Sequence, residues 1–139
     1  MAGIKMVGLN NWLKRLQVTK RRVETHRPAM AVISQKGRKD VLNHFREESG
    51  PSGRWRPLKK PRQSGGSKIL HDTGRLRGAI SAENTDDTAT VSAGTSYAAT
   101  HNFGDNSRNI PQRKFLWISA QALKSMALTL SKYIIKGRA

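Results

Sequence analysis

Apolar residues recur at helical spacing over residues 9–23, with basic residues at many of the positions between them. A second pattern of this kind follows Pro28 and runs to about residue 48, and a third lies near the end of the chain. Spacings of three and four residues place apolar side chains on one face of an α-helix. The chain is therefore predicted to have N-terminal helices within residues 1–49 and a C-terminal helix over residues 117–136.

The middle of the chain has a composition typical of strands and turns. Residues 76–83 alternate weakly, residues 88–93 are rich in β-branched side chains, and the acidic segment 84–87 between them has turn residues. This order predicts a β-hairpin, and residues 97–103 are predicted to form a third strand. The fold class is therefore α+β, with a small antiparallel β-sheet within residues 74–116.

A long basic loop, residues 50–73, separates the predicted helices from the predicted sheet. It contains three prolines, a Gly/Ser stretch and six basic residues. Structureless loops longer than about 12–15 residues are usually functional or disordered. Trp55 in this loop has two interpretations: an exposed binding element, or an anchor that pins the loop to the core, and the second is favoured. All these parts fit one domain of 139 residues.

The charge of the chain is strongly positive, at +17, with 26 Lys and Arg residues against 9 acidic ones. Residues 81–100 are the exception, because they contain Glu83, Asp86 and Asp87 and no Lys or Arg. A basic domain attracts polyanions such as nucleic acid. The charge alone leaves three readings open: sequence-independent nucleic-acid binding, contact with acidic protein neighbours, or solubility.

Cysteine is absent, which excludes disulfide bonds and thiolate metal sites. No apolar run approaches the roughly 20 residues that span a bilayer, and the first residues lack the pattern of a signal peptide. We therefore expect a soluble intracellular product that does not enter a membrane.

The residue types that carry catalysis form no known pattern here. The histidines are His26, His44, His71 and His101. Their spacing matches no metal-binding motif, and no clustered carboxylates accompany them. Ser67 with His71 and Asp72 lacks a nucleophile elbow, and the Gly/Ser stretch before Lys68 lacks the first glycine of a phosphate-binding loop. We expect no metal, no cofactor and no catalytic residue, so the protein is not expected to be an enzyme.

Two short segments combine cations with structural signals. Residues 72–76 predict a turn into a strand, whose alternation would put Arg75 and Arg77 on one face. Arg113 and Lys114 come just before the last helical pattern, where the helix dipole disfavours positive charge. Cations at this position suggest an acidic partner nearby.

Several segments resemble, in the same order, the successive motifs of the phage virion-morphogenesis family, which includes the Mu-like tail-completion proteins. These segments are Trp55-x-Pro57-Leu58, Ile69-Leu70-x-Asp72-Thr73-Gly74-Arg75-Leu76-Arg77, Tyr97-Ala98-Ala99-x-His101-x-Phe103-Gly104 and Ile110-Pro111-x-Arg113-x-Phe115-Leu116. The resemblance spans about residues 40–135. It implies a structural virion protein of the tail end or neck, similar to tail terminators, that forms a ring. Such a ring completes the tail and joins it to the head while DNA can still pass.

The resemblance also implies partners. They are further copies of the chain, tail tube or sheath proteins, head connector proteins and double-stranded DNA in the lumen, with the protein located in the virion. A compact protomer of this length has a radius of gyration of about 14 Å and, as a sphere, a width of about 36 Å. Three such spheres leave a hole of only about 6 Å, whereas six leave about 36 Å. A ring that passes DNA is therefore expected to be a hexamer.

Two sets of residues are the candidates for these contacts. The candidates for the subunit or partner interface are Trp55, His101, Phe103, Ile110, Pro111, Arg113 and Phe115. The candidates for contact with DNA or an acidic partner are Lys59, Lys60, Arg62, Lys68, Arg75, Arg77 and Lys114.

Overall fold

The computed structural model describes residues 9–60 and 68–138. The helices and strands, in chain order, are α1 Leu9–Glu24, α2 Arg27–Glu47, β1 Ser49–Gly50, β2 Gly53–Arg54, α3 Arg75–Gly78, β3 Ile80–Asn84, β4 Ala89–Ala93, α4 Ala98–Phe103 and α5 Ala120–Lys136. This is the α+β arrangement expected from the sequence, with helices at both ends and antiparallel strands between them. The two sheets each have two strands, β1 with β2 and β3 with β4.

Helix α2 is the centre of the protomer, with the β3–β4 hairpin and α5 both packed against it. Proline in its first turn fits the helix start, where a backbone N–H has no partner to lose. The helix ends at Glu48, which adopts the left-handed conformation with φ of 53°. Val41 and Phe45 of α2 are buried in the hydrophobic core, together with Phe115.

Gly37 lies in the middle of α2, where glycine costs about 1 kcal/mol relative to alanine. A Cβ atom at this position would lie 2.9 Å from Cγ2 of Val91 and 3.3 Å from Cε of Met126. The glycine therefore lets β4 and α5 approach the same point on α2.

The predicted hairpin is confirmed as β3 and β4. Its register pairs Ile80 with Ala93 and Glu83 with Thr90. Ile80 is buried and Ala93 packs against the core, whereas Glu83 and Thr90 are exposed. One face of the hairpin therefore covers α2 and the other is polar.

The third strand predicted at residues 97–103 is wrong, because Ala98–Phe103 is helix α4. Ala98 and Asn102 are its buried residues. They lie four residues apart, a spacing that puts both on one face of the helix. The polar contacts of Asn102 described below favour this conformation over the strand that the aromatic residues suggested.

The strand predicted from residue 76 begins only at Ile80, because Arg75–Gly78 forms the short helix α3. Each residue of an α-helix adds a rotation of about 100°, so side chains two residues apart point in nearly opposite directions. The prediction that Arg75 and Arg77 share a face is therefore wrong. The region 74–116 contains one hairpin and two short helices in place of three strands.

The start of the long loop is ordered by Trp55, which is buried and confirms the anchor interpretation. Its ring meets that of Phe45 edge-on, with centroids 5.9 Å apart. Further along the loop, the backbone N–H of Ile69 donates to Oε1 of Glu48 at 2.7 Å. Both ends of the loop are thus fixed to the end of α2.

Helix α5 begins at Ala120, three residues after the predicted start at residue 117. Ser119 is its N-cap, and Oγ of Ser119 accepts a hydrogen bond from the N–H of Ala122 at 3.2 Å. The helix ends at Gly137, which adopts a left-handed conformation with φ of 71°.

Candidate interaction site

The extended segment 110–117 is the place where the motif segments of the sequence meet. On one side it is held by α4. Oδ1 of Asn102 accepts hydrogen bonds from the N–H of Phe115 at 3.1 Å and the N–H of Leu116 at 3.0 Å. The carbonyl of His101 accepts from the N–H of Arg113 at 2.8 Å. Asn102 is buried, so this single side chain satisfies two backbone donors that water cannot reach.

On the other side the segment is held by the loop that follows β2. Nε1 of Trp55 donates to the carbonyl of Lys114 at 3.2 Å. The guanidinium of Arg113 donates to the carbonyl of Arg56 through Nε at 3.4 Å and Nη2 at 3.2 Å. Arg113 is buried, and a buried guanidinium needs such partners because desolvation of an unpaired charge is costly. The first and last motif segments are therefore joined directly.

Helix α2 supplies a third set of contacts through His44. Its Nδ1 lies 3.0 Å from the carbonyl oxygen of Phe115. A carbonyl can only accept, so Nδ1 carries the proton. The imidazole also stacks on the indole of Trp117, with centroids 4.3 Å apart and an interplanar angle of 12°. His44 therefore acts in the fold as a clamp on this segment.

Polar side chains one and two turns before His44 fasten α5 to α2. Asp40 accepts from the backbone N–H of Ser119 at 2.7 Å and from its hydroxyl at 2.8 Å. Nζ of Lys36 donates to Oγ of Ser125 at 2.9 Å and to Oγ1 of Thr129 at 2.6 Å. The local sequence does not reveal the roles of these residues or of Asn102, because their hydrogen-bond partners lie far away in the chain.

The turn after α4 requires glycine. Gly104 has a φ of 80°, and a Cβ atom there would lie 2.9 Å from the backbone nitrogen of Gln112. The chain then reverses, and Asp105 and Ile110 exchange two backbone hydrogen bonds of 2.8 Å each. Gly104 thus allows α4 and the following segment to run close together.

The side chain of Asp105 organises the loop inside this turn. Its carboxylate accepts from the hydroxyl of Ser107 at 2.6 Å and from Nε of Arg108 at 2.6 Å. These hydrogen bonds, first from Ser107 and then from Arg108, lower the pKa of Asp105 to about 2. Arg108 also donates to Oγ1 of Thr100 on α4 at 3.2 Å. The loop is therefore fixed by its own polar side chains.

Residues of every motif segment line one small surface cavity of about 200 Å³. They are Leu58 from the first segment, Leu70, Asp72, Thr73, Gly74, Arg75 and Leu76 from the second, Tyr97 and His101 from the third, and Arg113 from the fourth. The rings of Tyr97 and His101 meet edge-on, with centroids 5.9 Å apart. The folded chain thus gathers motifs that are separated in sequence around one opening.

The predicted interface residues fall into two groups. Trp55, Arg113 and Phe115 are buried in the protomer, where they hold the motif segments together. His101, Ile110 and Pro111 are half-buried. Phe103 is 69% exposed, so it is the member of the set whose ring is most available to a partner.

The predicted cationic contacts are exposed wherever the structure describes them. This holds for Lys59, Lys60, Lys68, Arg75, Arg77 and Lys114. Arg62 lies outside the described residues. Arg75 is at the cavity of the motif segments, and Lys59 lines a second, smaller pocket beside Ile110 and Pro111.

A comparison with protein families adds to this geometry. Residues 4–134 match the model of the phage virion morphogenesis family. The chain belongs to that family. The resemblance drawn from the sequence motifs is confirmed, and membership gives this protein a part in building a phage virion. Searches of curated proteins and of solved structures gave no match.

Neither a metal-binding cluster nor a membrane-spanning helix is found among the described residues. In residues 9–60 and 68–138, no group of three or more His, Asp or Glu side chains is placed to hold a metal ion. Within the same part of the chain, no helix combines the length and the hydropathy needed to cross a membrane.

Proposed function

We propose that this virion-morphogenesis protein is a structural component of the tail end or neck. It forms a closed ring that completes the tail and joins it to the head, and it leaves a passage for DNA. The ring is expected to have six copies, with tail tube or sheath proteins on one side and head connector proteins on the other. Its role is assembly and not catalysis.

The observation that carries this proposal is the exposed ring of Phe103. Its neighbours along the motif region are fixed, because Asn102 binds the backbone of the segment 110–117 and Gly104 fits tightly against it. Phe103 is therefore an aromatic side chain presented to solvent from a rigid support. Such preorganised aromatic residues are typical anchors of protein interfaces.

The polar side chains of the motif region support a structural role. Asn102, Arg113 and His44 each form a side-chain hydrogen bond to a backbone group of the same chain. Groups used in this way position the backbone and are not poised to act on a substrate. The region is built as a scaffold for contacts.

The test is the substitution Phe103→Ser, with Leu128→Ser as matched control because Leu128 is 60% exposed on α5. The solution mass of each purified variant is measured, together with the yield of tails joined to heads when the variant replaces the natural protein. Phe103→Ser is expected to lower ring formation or joining by at least tenfold, whereas the control retains both. If both variants behave like the natural protein, Phe103 is not an interface anchor.

Sequence-independent binding of nucleic acid is the second candidate, favoured by the exposed cations of the loop and of α3. Each phosphate contact releases a counterion, so affinity would fall steeply with salt. The isolated chain is titrated with duplex DNA at several salt concentrations. Tight, salt-sensitive binding by a monomer that forms no ring and joins no tails would favour this second candidate over the first.

A further inference from the structure

Helix α1 carries an apolar stripe that its own protomer leaves uncovered. Trp12, Leu13 and Leu16 are 59%, 44% and 47% exposed, and every residue from 10 to 18 is exposed. These side chains recur at helical spacing and therefore share one face. An exposed apolar patch of this kind marks an interaction surface.

The helix is attached near its C-terminal end. Nη1 of Arg22 donates to the carbonyl of Ile135 at 3.2 Å, and the hydroxyl of Tyr133 donates to the carbonyl of Thr25 at 3.1 Å. Both contacts are to the last turns of α5. The N-terminal half of α1 is thus free to meet another molecule.

A second apolar surface lies between α2, β4 and α5. It is a cavity of about 190 Å³ whose lining includes Ile33, Gly37, Val91, Ile118 and Met126. Gly37 lies at the floor of the cavity, where Val91, Ile118 and Met126 approach the backbone of α2. An apolar cavity of about 150 Å³ can hold a benzene molecule, so this one has room for a leucine side chain or part of an indole. We call this surface the α2–β4–α5 groove.

The rim of the groove is apolar as well. Leu123 is 61% exposed and lies three residues before Met126 on α5, so the two side chains are neighbours. Ile118 is partly exposed at the same rim. The groove and its rim together form one exposed apolar surface.

Charge distinguishes the two surfaces. Ala89 lines the groove, and the turn just before it carries Asp86 and Asp87, whose side chains remain largely exposed. Arg27 and His26 at the start of α2 hold this turn in place, with Nδ1 of His26 3.2 Å from Asp87. One end of the groove therefore carries two carboxylates next to one arginine, so it is locally acidic in a chain whose net charge is +17.

Helix α1 has the opposite charge. Arg15 follows Trp12 by three residues and Lys20 follows Leu16 by four, so cations border the apolar stripe. Two α1 helices packed together would bring like charges into contact, which is unfavourable. The acidic end of the groove offers the complementary charge.

We propose that α1 of one copy docks in the α2–β4–α5 groove of the next copy. Part of the Trp12 indole fills the cavity, Leu16 packs against its apolar rim, and Arg15 and Lys20 face the acidic turn. The docking helix and the groove are different surfaces of the protomer, so the contact is head-to-tail and can close a ring. This interface rests on the proposed function, because it is the contact by which such a ring would form.

The experiment uses two variants of the full chain that each damage one surface. The helix variant combines Trp12→Glu with Leu16→Glu, and the groove variant combines Ile118→Glu with Leu123→Glu. All of these side chains are exposed, so neither variant should unfold, and circular dichroism checks this. Solution mass is measured for the natural chain, for each variant and for an equimolar mixture of the two variants.

The natural chain is expected to form a closed oligomer, and each variant alone is expected to remain at the 15.5 kDa mass of one chain. In the mixture one intact helix still finds one intact groove. Mixing should therefore double the mass and go no further, because the remaining helix and groove of the pair are both damaged.

A charge exchange sharpens the test. Asp86→Lys with Asp87→Lys should weaken the oligomer at least tenfold, and Arg15→Glu with Lys20→Glu in the same chain should restore much of the loss. The helix variant could remain a monomer both alone and in the mixture while the groove variant alone forms the closed oligomer. That result would mean that α1 docks at another surface, and it would overturn the proposal.

The outcomes separate this interface from the function on which it rests. If the natural chain forms a ring and both variants form it equally well, the α1 interface is wrong and the ring stands. If the natural chain is a monomer both in solution and on joined tails, the proposed ring fails, and this interface fails with it.

Discussion

The segment 110–117 and helix α1 differ in how the protomer treats their side chains. In the segment, Phe115 and Arg113 are buried and bound by three different elements. In α1, Trp12 and Leu16 are exposed with no comparable cover. The most recognisable motif residues of this chain therefore stabilise the fold, whereas much of the surface available for assembly lies outside the motif segments.

The largest effect on stability is expected from Phe115→Ala. This ring is fully buried and packs on that of Phe45 with centroids 5.0 Å apart. Loss of a buried phenylalanine typically costs about 3–5 kcal/mol. Urea unfolding of the dilute monomer measures the change, with Trp12→Ala as control, which should alter the stability of the isolated protomer by less than about 0.5 kcal/mol. Equal losses of stability for Phe115→Ala and Trp12→Ala would contradict the difference between the two regions.

A smaller but still clear loss is expected from Asn102→Ala. The substitution leaves the N–H groups of Phe115 and Leu116 without their acceptor. Each buried, unsatisfied donor costs about 1–3 kcal/mol. Asn106→Ala, in the exposed loop after α4, is the matched control and should unfold near the natural urea midpoint. Two coincident midpoints would show that Asn102 is not the link between α4 and the segment.

The turn that joins α4 to the segment should respond to Gly104→Ala. A methyl group there meets the backbone of Gln112, and φ of 80° is unfavourable for alanine. We expect a loss of about 1–3 kcal/mol. Gly78→Ala is the control, since a Cβ atom at Gly78 meets nothing within 4 Å. Thermal unfolding distinguishes them, and a Gly104 variant as stable as the Gly78 variant would contradict the close approach.

The smallest effect is expected from the loop carboxylate of Asp105. Its pKa of about 2 in the folded chain lies below the ordinary value of about 3.9 in the unfolded chain. Its contribution to stability is therefore present above about pH 4 and is lost as the pH falls through about 2. Asp105→Asn should lower the urea midpoint slightly at pH 6 and less at pH 2.

The control for this pH dependence is Glu83→Gln, on the exposed face of β3. Its unfolding midpoint should stay close to that of the natural chain at both pH values. The difference in urea midpoint between Asp105→Asn and the natural chain should shrink as the pH falls. A difference that grows would contradict a stabilising role of the Asp105 carboxylate.

The periodic parts of the fold could be predicted from the sequence, and the parts fixed by distant contacts could not. Helices α1, α2 and α5 and the β3–β4 hairpin follow from local spacing and turn residues. Helix α4 was missed because Tyr97 and Phe103 resemble strand residues, while the contacts of Asn102 that favour the helix are made 13 and 14 residues away. Local patterns contain no information about such partners.

The candidate site, like the fold, could be predicted from the sequence only in part. Its motif segments could be found in the sequence, but their meeting around one cavity could not. Phe115 and Arg113 were predicted at an interface because they lie in a motif segment of the family and because cations before a helix suggest an acidic partner. In the folded chain these side chains face inward, because Asn102 and Trp55 hold the segment against the core. Phe103, from the same set of candidates, is exposed.

Electron microscopy of the purified protein, and of tails that carry it, would show directly whether the chain forms a ring. We expect a closed ring of six copies with an open centre, located at the end of the tail that meets the head. A monomer in solution with no ring on joined tails would contradict it.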